Sequence, residues 1–151
     1  MTTTTTMAEL PGLVGTELGT SEWYEITQDH VNKFADATND HQWIHIDVER
    51  AKKESPFGGP IAHGYLTLSL LVPLVAQTYT ITDAKMGVNY GLNKVRFPAP
   101  VPVGSRIRLT GTLKDVEEVA GGQQLTVSVV IEAEGSAKPV CIAEPVFRTY
   151  A

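Results

Sequence analysis

Nine residues, "NDHQWIHID", gather Asn39, Asp40, His41, His45 and Asp47 around Trp43, Ile44 and Ile46. Two of the four histidines stand here beside two carboxylates, among apolar residues able to exclude water. Three kinds of arrangement use such residues. His41 and His45, four apart, can bind a metal from one helical face with Asp40 or Asp47 as third ligand. Asp40 and His45, facing one small volume, can hold a water, one taking its proton while the other donates a proton elsewhere. The third is structural. Asp47 stands where a helix should begin and is better read as its cap, and His41 is better read as a structural group. Capping residues bracket the segment, so one continuous helix is doubtful, and no second ligand cluster follows. Metal binding is the weaker reading on those grounds.

An Asp and a His five apart arise often by chance, so the rest of a pocket is needed. It comes 18 residues after His45, in "GGPIAHGYL". Gly64 opens an apolar helix, where backbone N–H groups lack partners at the positive end of the dipole. With no Cβ, it lets a substrate oxygen approach that N–H, and donors so placed stabilise a developing oxyanion. A tight turn would equally call for glycine there.

The elements that must position these residues follow from pattern. "EWYEI" reads as a short strand. Thr27 caps a helix whose Val31, Phe34 and Ala35 share a face, with Ile26 and Val31 as the staple around the cap. That helix should end near Thr38. A second short helix, "VERAKKE", starts after Asp47 and is stopped by Pro56. "SPFGGPIAHG" is a loop. "YLTLSLLVPLVAQTY" is apolar on nearly every side, which predicts an enclosed helix, kinked or shifted in register at Pro73.

The second half reads as a strand meander. "SRIRLTGTLKDV" and "LTVSVVIEAE" alternate strictly, with Gly121-Gly122 as a hairpin signal between them. "KPVCIAEPVFRTY" is a last strand whose prolines predict an edge or a bulge. Met86, Val88, Tyr90 and Leu92 keep one phase and Val95 and Phe97 the other, which places a bulge near Asn93 and Lys94. Asn93 thereby joins the substrate-binding candidates. Helices first and strands later give an α+β domain with a sheet wrapped around a helix, and argue against βαβ alternation.

At 151 residues, with 42% hydrophobic and 19% charged, the chain reads as one soluble domain. A net charge of -5 argues against nucleic acid as the main partner. A phosphorylated small molecule remains compatible, since a few local cations suffice to hold one. One cysteine, Cys141, excludes an internal disulfide framework and suits a reducing cytosol, giving cytoplasmic localisation as the expectation. "MTTTTTMAEL" lacks the features of a secretory signal and reads as a disordered tail over residues 1–10, with Met7 an alternative start. The domain proper is expected over residues 11–151. No apolar run is long enough to span a bilayer.

"FADATNDHQWIHIDVERA" followed by "PIAHGYLTLSLL" resembles the MaoC-like dehydratases, also called (R)-specific enoyl-CoA hydratases or hydratase 2. The match is best from about Glu22 to Gly104. The family motif falls on Phe34, Asp40, Ile44-His45 and Ala51. Asn39 stands where the family usually has Gly, and Gln42-Trp43 where it usually has Asn-Pro. The latter resembles the nodulation-protein-N-type branch, which includes bacterial 3-hydroxyacyl-thioester dehydratases, and makes Gln42 and Trp43 the place to look for acyl preference. The resemblance implies a hot dog fold, a long central helix wrapped by an antiparallel sheet.

The implied activity is reversible syn hydration of a trans-2-enoyl thioester to the (R)-3-hydroxyacyl thioester. Asp40 and His45 would hold the water, with the base between them unassigned. Gly64 would face the thioester oxygen, and Ser69 matches a serine that the family places near the dyad. Ser69 can equally bond its own helical turn. The resemblance implies no metal or redox cofactor, coenzyme A being part of the substrate, on a carrier that is either coenzyme A or acyl carrier protein. Lys52, Lys53, Lys94 and Arg96 are candidates to meet its phosphates, although solvated surface charge is the commoner role for each. A homodimer is expected by analogy. Two other functions compete: a hot dog thioesterase, which would release free thiol, and a non-catalytic acyl-thioester-binding module. The Asp–His pair disfavours both.

Overall fold

The computed structural model describes residues 2–151. Strand β1 (Thr3–Thr5) leads through a 3-10 turn at Leu10–Leu13 to β2 (Glu17–Thr20) and β3 (Tyr24–Glu25). Three helices follow: α1 (Gln28–Thr38), α2 (Trp43–Ile46) and α3 (Val48–Glu54). The central helix α4 (Gly64–Val75) precedes β4 (Tyr79–Ile81), β5 (Met86–Arg96), β6 (Arg106–Val119), β7 (Gly122–Ala133) and β8 (Cys141–Tyr150).

Caps set the helix bounds. The Thr27 side chain accepts from the His30 N–H at 3.1 Å, and Asp47 Oδ1 accepts from the Arg50 N–H at 3.1 Å. Asn39 ends α1 in the left-handed region at φ 61°, a conformation that asparagine tolerates better than most residues.

The main sheet is antiparallel in the order β2-β6-β7-β8-β5, with β3 also pairing β6. Alternation along β6 and β7 turns Ile107, Leu109, Leu113, Leu125, Val127, Val129 and Ile131 inward. There they form one core with Leu66, Leu70, Leu71 and Leu74 of α4. Each such side chain contributes about 1.5–3 kcal/mol on burial, enough to lock the helix against the sheet. This is the expected hot dog architecture.

The two hairpin glycines do different work. Gly121 takes φ 79° in the turn, whereas Gly122 already pairs with Val119 in the ladder. A Cβ on Gly122 would run into the Thr149 carbonyl oxygen of β8. The bulge expected near Asn93 and Lys94 is present, as a register shift between Leu92 and Val95 of β5.

Four expectations change. Residues 3–5 of the Thr-rich start, expected in a disordered tail, pair in parallel with β4. Met7 N–H donates to Asp83, and Leu10 is fully buried. β-Branched threonines suit extended backbone, and the edge of β4 supplies partners that composition does not reveal. Second, "QTY" leaves the central helix. Thr78 Oγ1 donates to the Val75 carbonyl at 2.7 Å, satisfying a C-terminal acceptor, and Tyr79 begins β4. Pro73 therefore lies in the last turn, where one lost hydrogen bond is easily tolerated.

Third, of the edge or bulge expected for the last strand, the edge is excluded, because β7 and β5 flank β8, and the bulge lies in the β5 strand that pairs with it. Pro145 is accommodated opposite Leu92, where the β5 bulge begins, and its β7 ladder lapses between Val146 and Ala143. Fourth, α4 is not enclosed within one chain: Tyr65 is 70% exposed and Val72 40%. Among the described residues, no helix is long and apolar enough to cross a membrane.

Candidate active site

The segment Ile61–His63 fastens both halves of the proposed dyad. It is itself anchored by backbone: Ile61 N–H donates to Ile44 and Ala62 N–H to Val101. The carbonyl oxygen of Ile61 faces His45 Nδ1 at 2.7 Å. A carbonyl only accepts, so Nδ1 carries the proton and the neutral ring keeps its lone pair on Nε2. From the other end, the Gln28 amide donates to the His45 carbonyl at 2.8 Å. The one-turn helix α2, which sequence pattern did not reveal, thus presents His45 buried, 6% exposed, and in a defined tautomer.

His63, 2% exposed, stacks on His45 with ring centroids 3.9 Å apart and planes 24° from parallel. Its Nε2 lies 3.0 Å from the Asp40 carbonyl oxygen and 3.9 Å from Oδ2. Phe34, the aromatic of the motif, packs on the same ring at 4.9 Å. Asp40 itself is half-exposed. One ligand-capable atom from each of Asp40, His45 and His63 falls within 4.8 Å of the others.

That trio is close enough to invite a metal, but stacking turns it the wrong way. A ring nitrogen binds an ion in its ring plane at about 2.0 Å, and two nearly parallel planes do not converge on one point. The other two ligand candidates are engaged elsewhere. His41 Nε2 pairs with Asp36 at 2.9 Å, and Asp47 caps α3.

Burial holds the His45 pKa below its ordinary 6.5, and the neighbouring His63 adds to that, against the opposing pull of the Ile61 carbonyl and Asp40. The unfolded chain therefore binds a proton at a pH where the folded one does not. His45 contributes its full stability above the unfolded value and loses it as pH falls through the lower folded value. Unfolding free energy of the wild type, measured in urea, should fall relative to that of His45→Asn as pH drops below about 6.5.

Gly64 begins α4 immediately after His63, and its N–H belongs to the first turn, which supplies no helical acceptor. A Cβ there would sit 3.2 Å from two ring carbons of Phe97. Gly64 and Phe97 line an open, mainly apolar cleft of about 440 Å³ with Phe57, Ile61, Thr67 and Val101. Asp40 and His45 are not in its walls. Ile61, whose carbonyl accepts from His45, and Gly64, which follows His63, connect its wall to the dyad.

Ser69 and Asn93 are not brought to this cleft. Ser69 is exposed, donates to the Tyr65 carbonyl at 2.7 Å, and lines a separate cleft of about 280 Å³ with Val72, Asn89, Tyr90 and Leu92. Five residues along a helix turn Ser69 about 140° away from Gly64. Asn93 is exposed on the bulge of β5. Among the phosphate candidates, Arg96 folds onto its own strand, Nη1 to the Val95 carbonyl at 2.7 Å. Trp43 carries the Arg50 guanidinium over its ring at 4.2 Å, and neither Gln42 nor Trp43 lines the Gly64 cleft.

The residue that sequence reasoning missed is His63. Its signal stood in "AHG", where only the glycine was given a role.

A hot dog domain that holds an Asp and a buried His against the start of its central helix has the arrangement of a MaoC-like dehydratase, and the chain belongs to that family. Residues 9–135 match the family described as MaoC like domain. The chain is 56% identical over 149 residues to 3-hydroxyacyl-thioester dehydratase Z of Mycobacterium tuberculosis, covering 98% of each. It is 46% identical over 140 residues to Nodulation protein N of Rhizobium leguminosarum bv. viciae, covering 91% of this chain and 86% of that one. The solved (R)-hydratase of A. caviae, described as involved in PHA biosynthesis, shares its fold at a TM-score of 0.72 and 25% identity. That match covers 89% of this chain and 94% of the other. The family and the branch indicated by Gln42-Trp43 both hold.

Proposed function

We propose that the protein is an (R)-specific enoyl-CoA hydratase and 3-hydroxyacyl-thioester dehydratase, acting reversibly on trans-2-enoyl thioesters. One observation carries the reading: a buried His45 whose Nδ1 is committed to the Ile61 carbonyl, which in the neutral ring leaves the lone pair on Nε2, with Asp40 close by. Water held between them loses a proton to His45 Nε2 as its oxygen attacks Cβ. The charge that develops on the thioester oxygen is met by the Gly64 N–H. The imidazolium, stabilised by the Asp40 carboxylate, returns the proton to Cα on the same face. Water is thereby added across the double bond with no net redox change, so the reaction calls for neither a metal nor a redox group.

The apolar cleft beside Gly64 suits the acyl end of the substrate, on coenzyme A or acyl carrier protein. Homodimerisation is supported by the edge position of β5 and by its exposed Met86, Val88, Tyr90 and Leu92, with Tyr65 and Val72 of α4 also exposed. An unpaired eleven-residue edge and a large apolar face are liabilities in isolation. Ser69 and Asn93 belong to these same two elements, where a partner subunit would bring a second surface to them.

The test is incubation with crotonyl-CoA. Loss of the enoyl absorbance with no release of free thiol supports a hydratase, whereas thiol release indicates a thioesterase, and binding without turnover a non-catalytic module. Gly64→Ala should lower kcat for hydration by about tenfold to a hundredfold, because the methyl displaces either Phe97 or the thioester oxygen. Steady-state kinetics on enoyl-CoA checks it.

A further inference from the structure

We propose that His63 is the positioning residue of the site, holding Asp40 by its backbone and His45 by its ring face. The inference rests on the hydratase reading only for its kinetic test. Its geometry stands on its own.

Asp40 sits in an exposed loop after Asn39, the one non-glycine with positive φ among the described residues. Within that loop, its only local bond is from Gln42 N–H to Oδ1 at 3.5 Å, at the edge of what counts as a hydrogen bond. The bond from His63 to the Asp40 carbonyl, at 3.0 Å and part-buried, is shorter and comes from a rigid element. Because that acceptor is a carbonyl, His63 Nε2 carries the proton. Its Nδ1 lone pair is then buried with no hydrogen-bond partner among the described residues. An unpaired buried acceptor is unfavourable. A residue needed only for packing would avoid that by being Phe or Leu, so the observation points to the Nε2–H donor as the reason for histidine here.

The same ring touches three residues of the motif and adjoins Gly64. It packs on Phe34, stacks on His45, bonds Asp40, and precedes Gly64 in the chain. The His63 carbonyl also accepts from the N–H groups of Leu66 and Thr67, which ties the ring's backbone to the first turn of α4. A shift of His63 would therefore move the carboxylate, the imidazole and the oxyanion donor together. His63 need not touch substrate to do this.

Two variants separate donor from bulk. Gln and Met have similar length and flexibility, but only Gln offers an N–H where Nε2 stands. With the wild type active on crotonyl-CoA, H63M should lose about a hundredfold in kcat with little change in KM. H63Q should retain at least about ten times the kcat of H63M. Equal rates for the two, or a rate for H63M within about twofold of wild type, would overturn the proposal.

A second measurement needs no variant to fold. Long-range nitrogen–proton NMR spectra of histidine-labelled wild type, at about pH 8 where imidazoles are neutral, report tautomers directly. The expected result is a proton on Nε2 of His63 and on Nδ1 of His45. A proton on Nδ1 of His63 would sink the proposal even if hydration is confirmed. If the wild type hydrates no enoyl thioester, the functional reading fails while the tautomers still decide the positioning role.

Discussion

Replacing His45 by Asn is expected to slow enoyl-CoA hydration by about 10³-fold while leaving the protein folded. The asparagine Nδ2 falls near the place of the histidine Nδ1 and can still donate to the Ile61 carbonyl, the bond that fixes this side chain. What disappears is the Nε2 lone pair, the group proposed to take the proton from water. The ring packed on His63 is also lost, which should reduce stability by on the order of 1 kcal/mol. Kinetics and a thermal melt on one preparation separate the effects: a large fall in kcat with a small change in Tm. A variant that keeps kcat within about tenfold of wild type would show that His45 is not the base.

Asp40→Asn should cost about 10²- to 10⁴-fold in kcat, with stability unchanged within about 0.5 kcal/mol. The expectation of stability follows from the half-exposed carboxylate, and from His63 binding the backbone carbonyl, which the substitution retains. The amide can still touch water, but it carries no charge to stabilise the imidazolium. Because the two residues act on one water, their effects should not add. The double variant Asp40→Asn, His45→Asn should be no more than about tenfold slower than the slower single variant. Independent, multiplying effects would mean that the two side chains serve different steps.

These expectations rest on residues that could be found without coordinates, and the reasons are local. Thr27 and Asp47 announced helix starts because capping is a matter of a few neighbouring atoms. The phase change around Asn93 and Lys94 located a bulge because strand faces alternate strictly. Gly64 could be placed because a helix start follows from composition. His63 was not legible in the same way: its role depends on facing Asp40, 23 residues away, across a loop.

The burial of α4 was over-read for a related reason. Its apolar stripe of Tyr65 and Val72 looks the same in sequence whether the facing surface is the chain's own sheet or another molecule. Ser69 matches a serine that the family places near the dyad and could equally bond its own turn. Within a single chain it does the latter, donating to the Tyr65 carbonyl, and helical rotation turns it away from Gly64. The start of the chain was misread because a strand at a sheet edge needs only one partner, and β4 lies more than 70 residues further on.

The central claim is that Asp40 and His45 add water to one face of an enoyl thioester. Hydration of crotonyl-CoA in deuterium oxide by the wild type, with chiral separation and proton NMR of the product, tests it directly. The prediction is a single (R)-3-hydroxybutyryl product carrying one deuterium at Cα, on the same face as the new hydroxyl. An (S) product, deuterium on the opposite face, or an even mixture at Cα would contradict it.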